Sequence, residues 1–582
     1  MPISSTSPTH RFHRPLWSLL ICFFIFLIAG PDLALGQAPV PRGAPSVGSI
    51  TQEVQKARPE RSRTEREETG LDQSVSRLPS SEGGATIMVN DFILEEMGQI
   101  PEKDIRRVLE PFKGRELTMG QLQEAAARVG ELFRQKGYPA VQVYLPQQNA
   151  QNGVITLRAL VGSFGASSME NSSLVTDWYV KKMIQATLKE GQLVTRKDLE
   201  RMVLLFNDLP GAGMPKLTMG PGVSFGQTQF LAQVPKGPRF NGYVMTDNMG
   251  SVYTGHWRFM SGIDVNSPFN LGDKLSVFGM TTSVQGINSA AINYSVPITP
   301  SGARLQLGYT YVYYELGDNF KDLGATGSSK IMEASVRYPL IRSAKRNLYL
   351  DLGGTYKLMD TTYSQFTVEE ETKSLIGKVG LVNEYWGSLG SHNFYNKIGA
   401  SVSYGNLTNE KTWGGLLQPR EDEEGDFSYA NLDLTFNVGL NDFLALSLTG
   451  TLQKALRKKT LDGAEQLNVT GGQGVRAYRE GLSGDSGYIV SSEFRFKLPS
   501  IGQVDHAFGL FADHAGWKLE NSVHPTSRTR SGDLSDVGVA YYLNFPHVSL
   551  RAQVVRAVGA FPTALMRSEP ETYGSFTMIM FL

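Results

Sequence analysis

Few residues in this chain are of a type and spacing that could do chemistry, and most of those argue against it. Of eight histidines, His10 and His13 lie near the N-terminus, and His256, His392, His506, His514, His524 and His547 are scattered. His514 adjoins Asp513, but neighbours in a strand point to opposite faces, so the two cannot form an acid–base dyad in regular geometry. Gly471-Gly-Gln-Gly474 lacks the lysine and following helix of a phosphate-binding loop. The single cysteine, Cys22, sits in an apolar run close to the start. No catalytic residue, cofactor site or metal-ligand set is expected. What stands out is Gly474-Val475-Arg476-Ala477-Tyr478, followed by Ser483-Gly484-Asp485, and its meaning depends on the elements around it.

Those elements are strands. In Arg304 to Leu316, Leu305, Leu307, Tyr309, Tyr311 and Tyr313 fall on one face, with Arg304, Gln306 and Thr310 on the other. Leu348, Leu350, Leu352 and Tyr356 oppose Tyr349, Asp351, Thr355 and Lys357 in the same way. Leu432, Leu434, Phe436 and Val438 oppose Asn431, Asp433, Thr435 and Asn437. A period of two makes these strands. Their length exceeds that of ordinary sandwich strands, and their apolar faces suit lipid, which predicts an all-β transmembrane barrel over 237–582.

From Arg239 onward roughly 344 residues remain, so sixteen antiparallel strands would take about 21 residues each with a loop, against ~9 to 11 needed to cross. Fourteen or eighteen strands also fit that count. The alternation reaches the terminal Phe576-Thr-Met-Ile-Met-Phe-Leu582, which resembles a closing barrel strand.

Gly 61, Tyr 23 and Phe 29 suit bends and aromatic girdles, while 41% hydrophobic residues and a mean hydropathy of -0.20 exclude a polytopic helical protein. The net charge of +0 leaves a nucleic-acid partner unsupported, because a phosphate backbone calls for a basic face. Arg11 and Arg14 precede an apolar run from Leu16 to Ala29, and Ala34-Leu35-Gly36 offers small residues for cleavage. Residues 1–36 are therefore expected to be a secretory signal, which would remove Cys22 and leave a chain without thiols. Residues 37–84, rich in Pro, Ser, Arg and Glu, read as a linker, within which 49–56 could form a helix with Ile50 and Val54 on one side. Glu421-Asp-Glu-Glu424 reads as part of a solvated loop.

Two α+β modules precede the barrel. Over 85–163 the pattern is a β-rich stretch (Ala85 to Ile93), helices at Pro101 to Glu110 and Met119 to Lys136, then strands at Ala140 to Leu145 and Val154 to Val161. Over 164–236 helices at Thr176 to Leu188 and Thr195 to Leu209 precede strands near Met214 to Met219 and Phe225 to Val234. A β-α-α-β-β order in tandem is an internal repeat.

Signal, tandem modules and barrel together resemble the two-partner secretion transporters, the hemolysin activation/secretion (TpsB) group of the Omp85 superfamily, over nearly all of the mature chain. The modules look like POTRA domains. Thr246-Asp-Asn-Met-Gly-Ser-Val-Tyr-Thr-Gly255 is similar to the family's opening barrel strand, and Tyr294-Ser-Val-Pro297 and Arg337-Tyr-Pro-Leu-Ile-Arg342 match further barrel motifs.

Val475-Arg476-Ala477-Tyr478 resembles the family's VRG[YF] motif, carried on a lumen loop near 471–487. The resemblance implies that Arg476 meets Asp513 within Phe511-Ala-Asp513-His-Ala-Gly516, which has one extra residue before the glycine of an F-x-D-x-G element. A guanidinium taken into a narrow lumen needs a partner for its planar fork. Ala477 departs from the family's glycine, which would permit close backbone approach or a positive φ.

The implied function is export of a secreted exoprotein, an adhesin, cytolysin or toxin, by a monomer in the outer membrane with its modules in the periplasm. Outer-membrane lipids, periplasmic chaperones and the barrel assembly machinery are the other implied partners. The client would add a strand at the edge formed by Ala140 to Leu145, with Val141, Val143 and Leu145 as contacts, and 49–56 would act as a plug. The alternative is an Omp85-type factor that inserts other barrels.

Overall fold

The computed structural model describes residues 47–57, 85–150, 152–364, 368–412, 424–479, 481–520, 531–559 and 572–582. The expected signal, the linker apart from 47–57 and the cluster Glu421-Asp-Glu423 lie outside the described residues. Helix α1 (Val47–Lys56) comes first. The first α+β unit then contains β1 (Thr86–Val89), β2 (Asp91–Glu95), α2 (Glu102–Leu109), β3 (Arg115–Thr118), α3 (Met119–Gln135), β4 (Val141–Tyr144) and β5 (Val154–Val161). Its main sheet has the order β2-β5-β4, with β2 and β5 parallel, and β1 pairs separately with β3.

Sequence periodicity reads β1 and β2 as one stretch because both carry the same alternation. Asn90 separates them, its N–H donating to the Gly153 carbonyl at 2.7 Å. Helix α3 starts at a capping box, in which Thr118 Oγ1 accepts from Gln121 N at 3.3 Å and Gln121 Oε1 accepts from Thr118 N at 2.9 Å. The helix buries Leu122, Ala126, Val129 and Phe133 against the sheet.

The second unit repeats this plan with β6 (Ser163–Asn171), α4 (Asp177–Thr187), α5 (Arg196–Asn207), β7 (Lys216–Pro221) and β8 (Gln227–Val234). Its sheet order is β6-β8-β7, again with first and last strands parallel. Thr195 Oγ1 caps α5 by accepting from Asp198 N at 3.2 Å.

The rest is a closed antiparallel barrel of sixteen strands. In chain order these begin with β9 (Phe240–Asp247), β10 (Arg258–Asn266), β11 (Lys274–Thr282), β12 (Ile287–Pro297), β13 (Arg304–Glu315) and β14 (Ala325–Arg342). Next come β15 (Arg346–Tyr363), β16 (Val368–Leu389), β17 (His392–Thr412), β18 (Gly425–Gly439) and β19 (Leu444–Ala455). After two short loop strands, β20 (Leu467–Asn468) and β21 (Ser483–Gly484), the barrel finishes with β22 (Ser486–Ile501), β23 (Val504–Lys518), β24 (Ser531–Asn544), β25 (Val548–Val558) and β26 (Thr572–Phe581). β26 pairs with β9, and Leu582 N–H donates to the Gly242 carbonyl at 2.9 Å, so closure leaves no free sheet edge.

The alternation sorts side chains as the sequence predicts. Leu307, Tyr309, Tyr311 and Tyr313 are exposed on the outside of β13, while Thr310, Val312 and Tyr314 are buried within. No helix among the described residues is long and apolar enough to cross a membrane; the strands do so. Leu434→Arg, on the outer face in mid-strand, should cost about 2–4 kcal/mol in guanidinium titration of the lipid-reconstituted barrel. Asn437→Arg, facing the lumen on the same strand, should cost much less; equal costs would refute this assignment of faces.

Candidate functional site

The segment between β19 and β22 folds back into the lumen, its base held by pairing of β20 with β21. Gly474 is needed at its tip, since a Cβ there would lie 2.3 Å from the Val469 carbonyl oxygen. Val475, Ala477 and Tyr478 are buried with Phe511, Ala515 and Leu534 on the inner wall. Arg476 Nε lies 2.7 Å from Asp513 Oδ2, and its Nη2 donates to Asp513 Oδ1 at 3.1 Å and to Ser491 Oγ at 2.9 Å. The guanidinium carbon stands 3.7 Å from the centre of the Phe511 ring, a cation–π contact in a desolvated site. Glu493 Oε2 is 3.9 Å from Arg476 Nη1, and Ser491 Oγ donates to Asp513 Oδ1 at 2.5 Å.

Phe511 and Asp513 therefore meet Arg476, but Gly516 does not. It lies on the outer face, where a Cβ would come 2.6 Å from the Tyr488 ring. This follows from strand parity: Asp513 and Ala515 face in, so His514 and Gly516 face out, and His514 Nε2 lies 2.9 Å from Tyr488 Oη. Ala477 does not have a positive φ, so it carries none of the strain that would demand glycine. Its N–H donates to Asp536 Oδ2 at 2.6 Å. Asp536, directly across from Asp513 on β24, escaped the sequence reading because an isolated aspartate in a lumen-facing strand carries no motif.

Helix α1 lies beside this loop. Val47, Ile50 and Val54 pack on inward side chains of the barrel, among them Met260, Phe278, Met280 and Val312. Gly48 sits against the loop so closely that a Cβ would be 2.2 Å from Ala464 N. Gln52 Nε2 donates to the carbonyls of Gly463 at 3.2 Å and Gln466 at 2.8 Å, and Gln473 Nε2 donates to the Lys56 carbonyl at 2.8 Å.

Arg258 clamps Asp247 with Nε at 2.8 Å and Nη2 at 3.0 Å, while its Nη1 donates to Glu53 at 3.2 Å. Asp247 belongs to the Asp-Asn-x-Gly stretch matched in sequence. Its partner Arg258 and the helix residue Glu53 were not singled out, since neither has a distinctive neighbour along the chain. Lys357 Nζ donates to Glu465 and, at 3.2 Å, to the Ala464 carbonyl, and Tyr429 Oη donates to Glu465 at 2.7 Å.

At the outer end of the loop, Asp485 accepts from Leu461 N at 2.8 Å, Gln466 Nε2 at 3.0 Å and Glu520 N at 2.8 Å. Burial pushes its carboxyl up from the ordinary value, against the lowering effect of those donors. Glu520 is held down to about 2 by its hydrogen bonds from Lys454 and then Ser486, so it stays charged through the physiological range.

The haemolysin secretion/activation protein ShlB/FhaC/HecB family profile matches residues 226–528, more than half of the chain, and the ShlB-type POTRA profile matches 87–162. The chain belongs to the ShlB/FhaC/HecB family. A heme/hemopexin transporter protein HuxB of Haemophilus influenzae (strain 86-028NP) is 26% identical over 473 residues, covering 77% of this chain and 80% of the relative. Outer membrane transporter CdiB of Dickeya dadantii (strain 3937) is 21% identical over 520 residues, covering 85% of this chain and 88% of the relative. Among solved structures, CdiB from Escherichia coli superposes with a TM-score of 0.67 at 18% identity, covering 93% of this chain and 100% of that one. The protein is thus an outer-membrane translocator of two-partner secretion, with its POTRA units in the periplasm where they recognise the exoprotein that the barrel exports. This membership selects export over the assembly-factor alternative.

In this transporter the second POTRA-like unit is docked on the barrel rim. Arg342 grips Asp208 of the unit through Nε and Nη2, each at 2.8 Å, and Arg201 Nη2 donates to the carbonyls of Ser301 at 3.1 Å and Pro339 at 3.2 Å. The Pro339 carbonyl that accepts lies within the Arg337-to-Arg342 motif, where β14 changes register between Pro339 and Ile341.

In the first unit β4 is an edge strand, but Val141, Val143 and Leu145 pack on the unit's own core and Leu145 lies beyond the strand. Their alternation turns them inward. The edge offers backbone groups together with Gln142, which is exposed, and Tyr144, which lies across from Arg158.

Arg476→Ala should cost about 3–5 kcal/mol because it strands buried carboxylates without their cation. Adding Asp513→Asn should recover part of that loss. Guanidinium titration in lipid checks both, and an unchanged midpoint for Arg476→Ala would contradict the pairing. Asp208→Ala should widen the distance distribution between spin labels on the second unit and the barrel without reducing barrel abundance; an unchanged distribution would show that the Arg342 contact does not hold the unit.

Proposed function

We propose that the protein is a gated export channel in which α1 and the Arg476-bearing loop hold the lumen closed until a client arrives, with no catalytic step. One observation carries this reading: α1 is seated inside a complete barrel, packed on it through Val47, Ile50 and Val54 on one side and tied to loop and wall on the other by exchangeable polar bonds, those of Gln52, Glu53 and Lys56. Such bonds can pass to water when the helix leaves, so opening costs less than unpacking a wholly apolar plug. The pairing of Arg476 with Asp513 fixes the loop to the wall and acts as the pivot.

The client approaches as an extended chain and adds a strand to the β4 edge. Backbone hydrogen bonds supply affinity there, and Gln142 and Tyr144 help read the register. Folding of the client outside the cell supplies direction. An adhesin, cytolysin or toxin is the client class, and the name of the HuxB relative adds a heme- or hemopexin-related cargo to those worth testing.

Single-channel recording in planar bilayers tests the gate. Deletion of residues 47–57 should give long-lived openings of larger conductance than wild type, and Glu53→Ala should raise the opening frequency. Identical traces for all three proteins would refute a plug role for α1.

A further inference from the structure

The outer surface of the second POTRA-like unit carries a feature that export through the lumen does not use. Helix α4 starts at the barrel rim: Thr176 N–H donates to the Asn270 carbonyl at 2.8 Å, and Tyr179 Oη donates to the Thr299 carbonyl at 3.0 Å. Its first turn is therefore tied to the β10–β11 and β12–β13 connections. Tyr179 and Met183 line a cavity of about 1320 Å³ at the barrel mouth, and Val180 and Ile184 enter the unit's core. Trp178 belongs to neither surface and is 63% exposed. Lys182, four residues on and hence on the same helical face, places Nζ 5.0 Å from the centre of the tryptophan ring. Lys181 beside it is also exposed.

The connections that hold α4 bear apolar side chains of their own. Phe269 is 68% exposed and Ile298 50%. The Phe269 ring meets Tyr294 edge-on at 5.9 Å, and Tyr294 shares strand parity with Ile292, exposed on the outer face of β12. The lipid-facing belt of the barrel thus runs to the periplasmic rim at the point where α4 is attached. An exposed tryptophan with a lysine over its ring has the amphipathic make-up of a membrane-interface anchor, with the indole among upper acyl chains and glycerol and the ammonium at phosphate level.

We propose that the Trp178–Lys182 face of α4 rests on phospholipid headgroups of the periplasmic leaflet, so that the bilayer helps hold the second unit against the barrel rim. The occupant is lipid because the patch continues an established lipid-facing belt and presents cations suited to phosphate. A client segment is the competing occupant, and an assay without client separates the two.

The full mature chain would be placed in nanodiscs containing phosphatidylglycerol brominated high on the acyl chain, and the emission of Trp178→Phe subtracted from that of wild type to isolate Trp178 among the five tryptophans beyond residue 36. The expected result is loss of the Trp178 component in brominated discs and its protection from aqueous iodide relative to detergent. Emission insensitive to bromine, or quenched by iodide as fully in discs as in detergent, would overturn the proposal without touching the export reading.

Discussion

Withdrawing one guanidinium from water is the constraint around which the lumen is organised. Arg476 is 8% exposed and Asp513 0%, and a charge so placed is tolerated only when it is paired. The wall supplies Asp513 and Ser491 to the Nε and Nη2 side of the fork, the Phe511 face beneath it and the Glu493 carboxylate 3.9 Å from Nη1, all inward-pointing residues of β22 and β23. Asp536 on β24 then takes the adjacent Ala477 N–H. The loop is thereby fixed to three consecutive strands, and it carries the carbonyls on which α1 docks.

The same solution recurs at other boundaries between parts of the molecule. Arg258 joins α1 to the first barrel hairpin, Lys357 joins the loop to β15, and Arg342 joins the second POTRA-like unit to the rim. Each is a buried cation satisfied across an element boundary. Apolar packing fills the cores of the two α+β units and also seats α1 on the barrel and the loop on the inner wall. α1 is intermediate, with Val47, Ile50 and Val54 buried on one side and polar ties on the other. Directional polar contacts set one closed geometry and can be exchanged for water, whereas a fully apolar contact would favour permanent closure.

How much of this could be read from the sequence depended on the range of the interaction. Period-two alternation marks the barrel because each side chain's face is decided within its own strand, and Tyr309 and Thr310 sort accordingly. Helix α3 was legible through Leu122, Ala126, Val129 and Phe133. The joining of Arg476 to Asp513 came from resemblance to a known motif, since nothing local indicates which acid an arginine will find 37 residues away. The contacts of Asp536, Arg258 and Lys357 depend on which strands share the lumen and had no local signature. Val141, Val143 and Leu145 were expected to face a client because the strand is an edge; an edge exposes backbone, while apolar side chains still turn to their own core. Gly516 was placed with the site by motif and moved to the outer face by strand parity.

The central claim is that α1 must leave the lumen loop for export to proceed. Cys22 is the chain's only cysteine, so a pair introduced by Gln52→Cys and Gly463→Cys, positions in direct hydrogen-bond contact, can be cross-linked selectively. Secretion of the partner exoprotein, measured against barrel abundance, should stop when the pair is oxidised and resume on reduction. Undiminished export with the cross-link demonstrably formed would contradict the account.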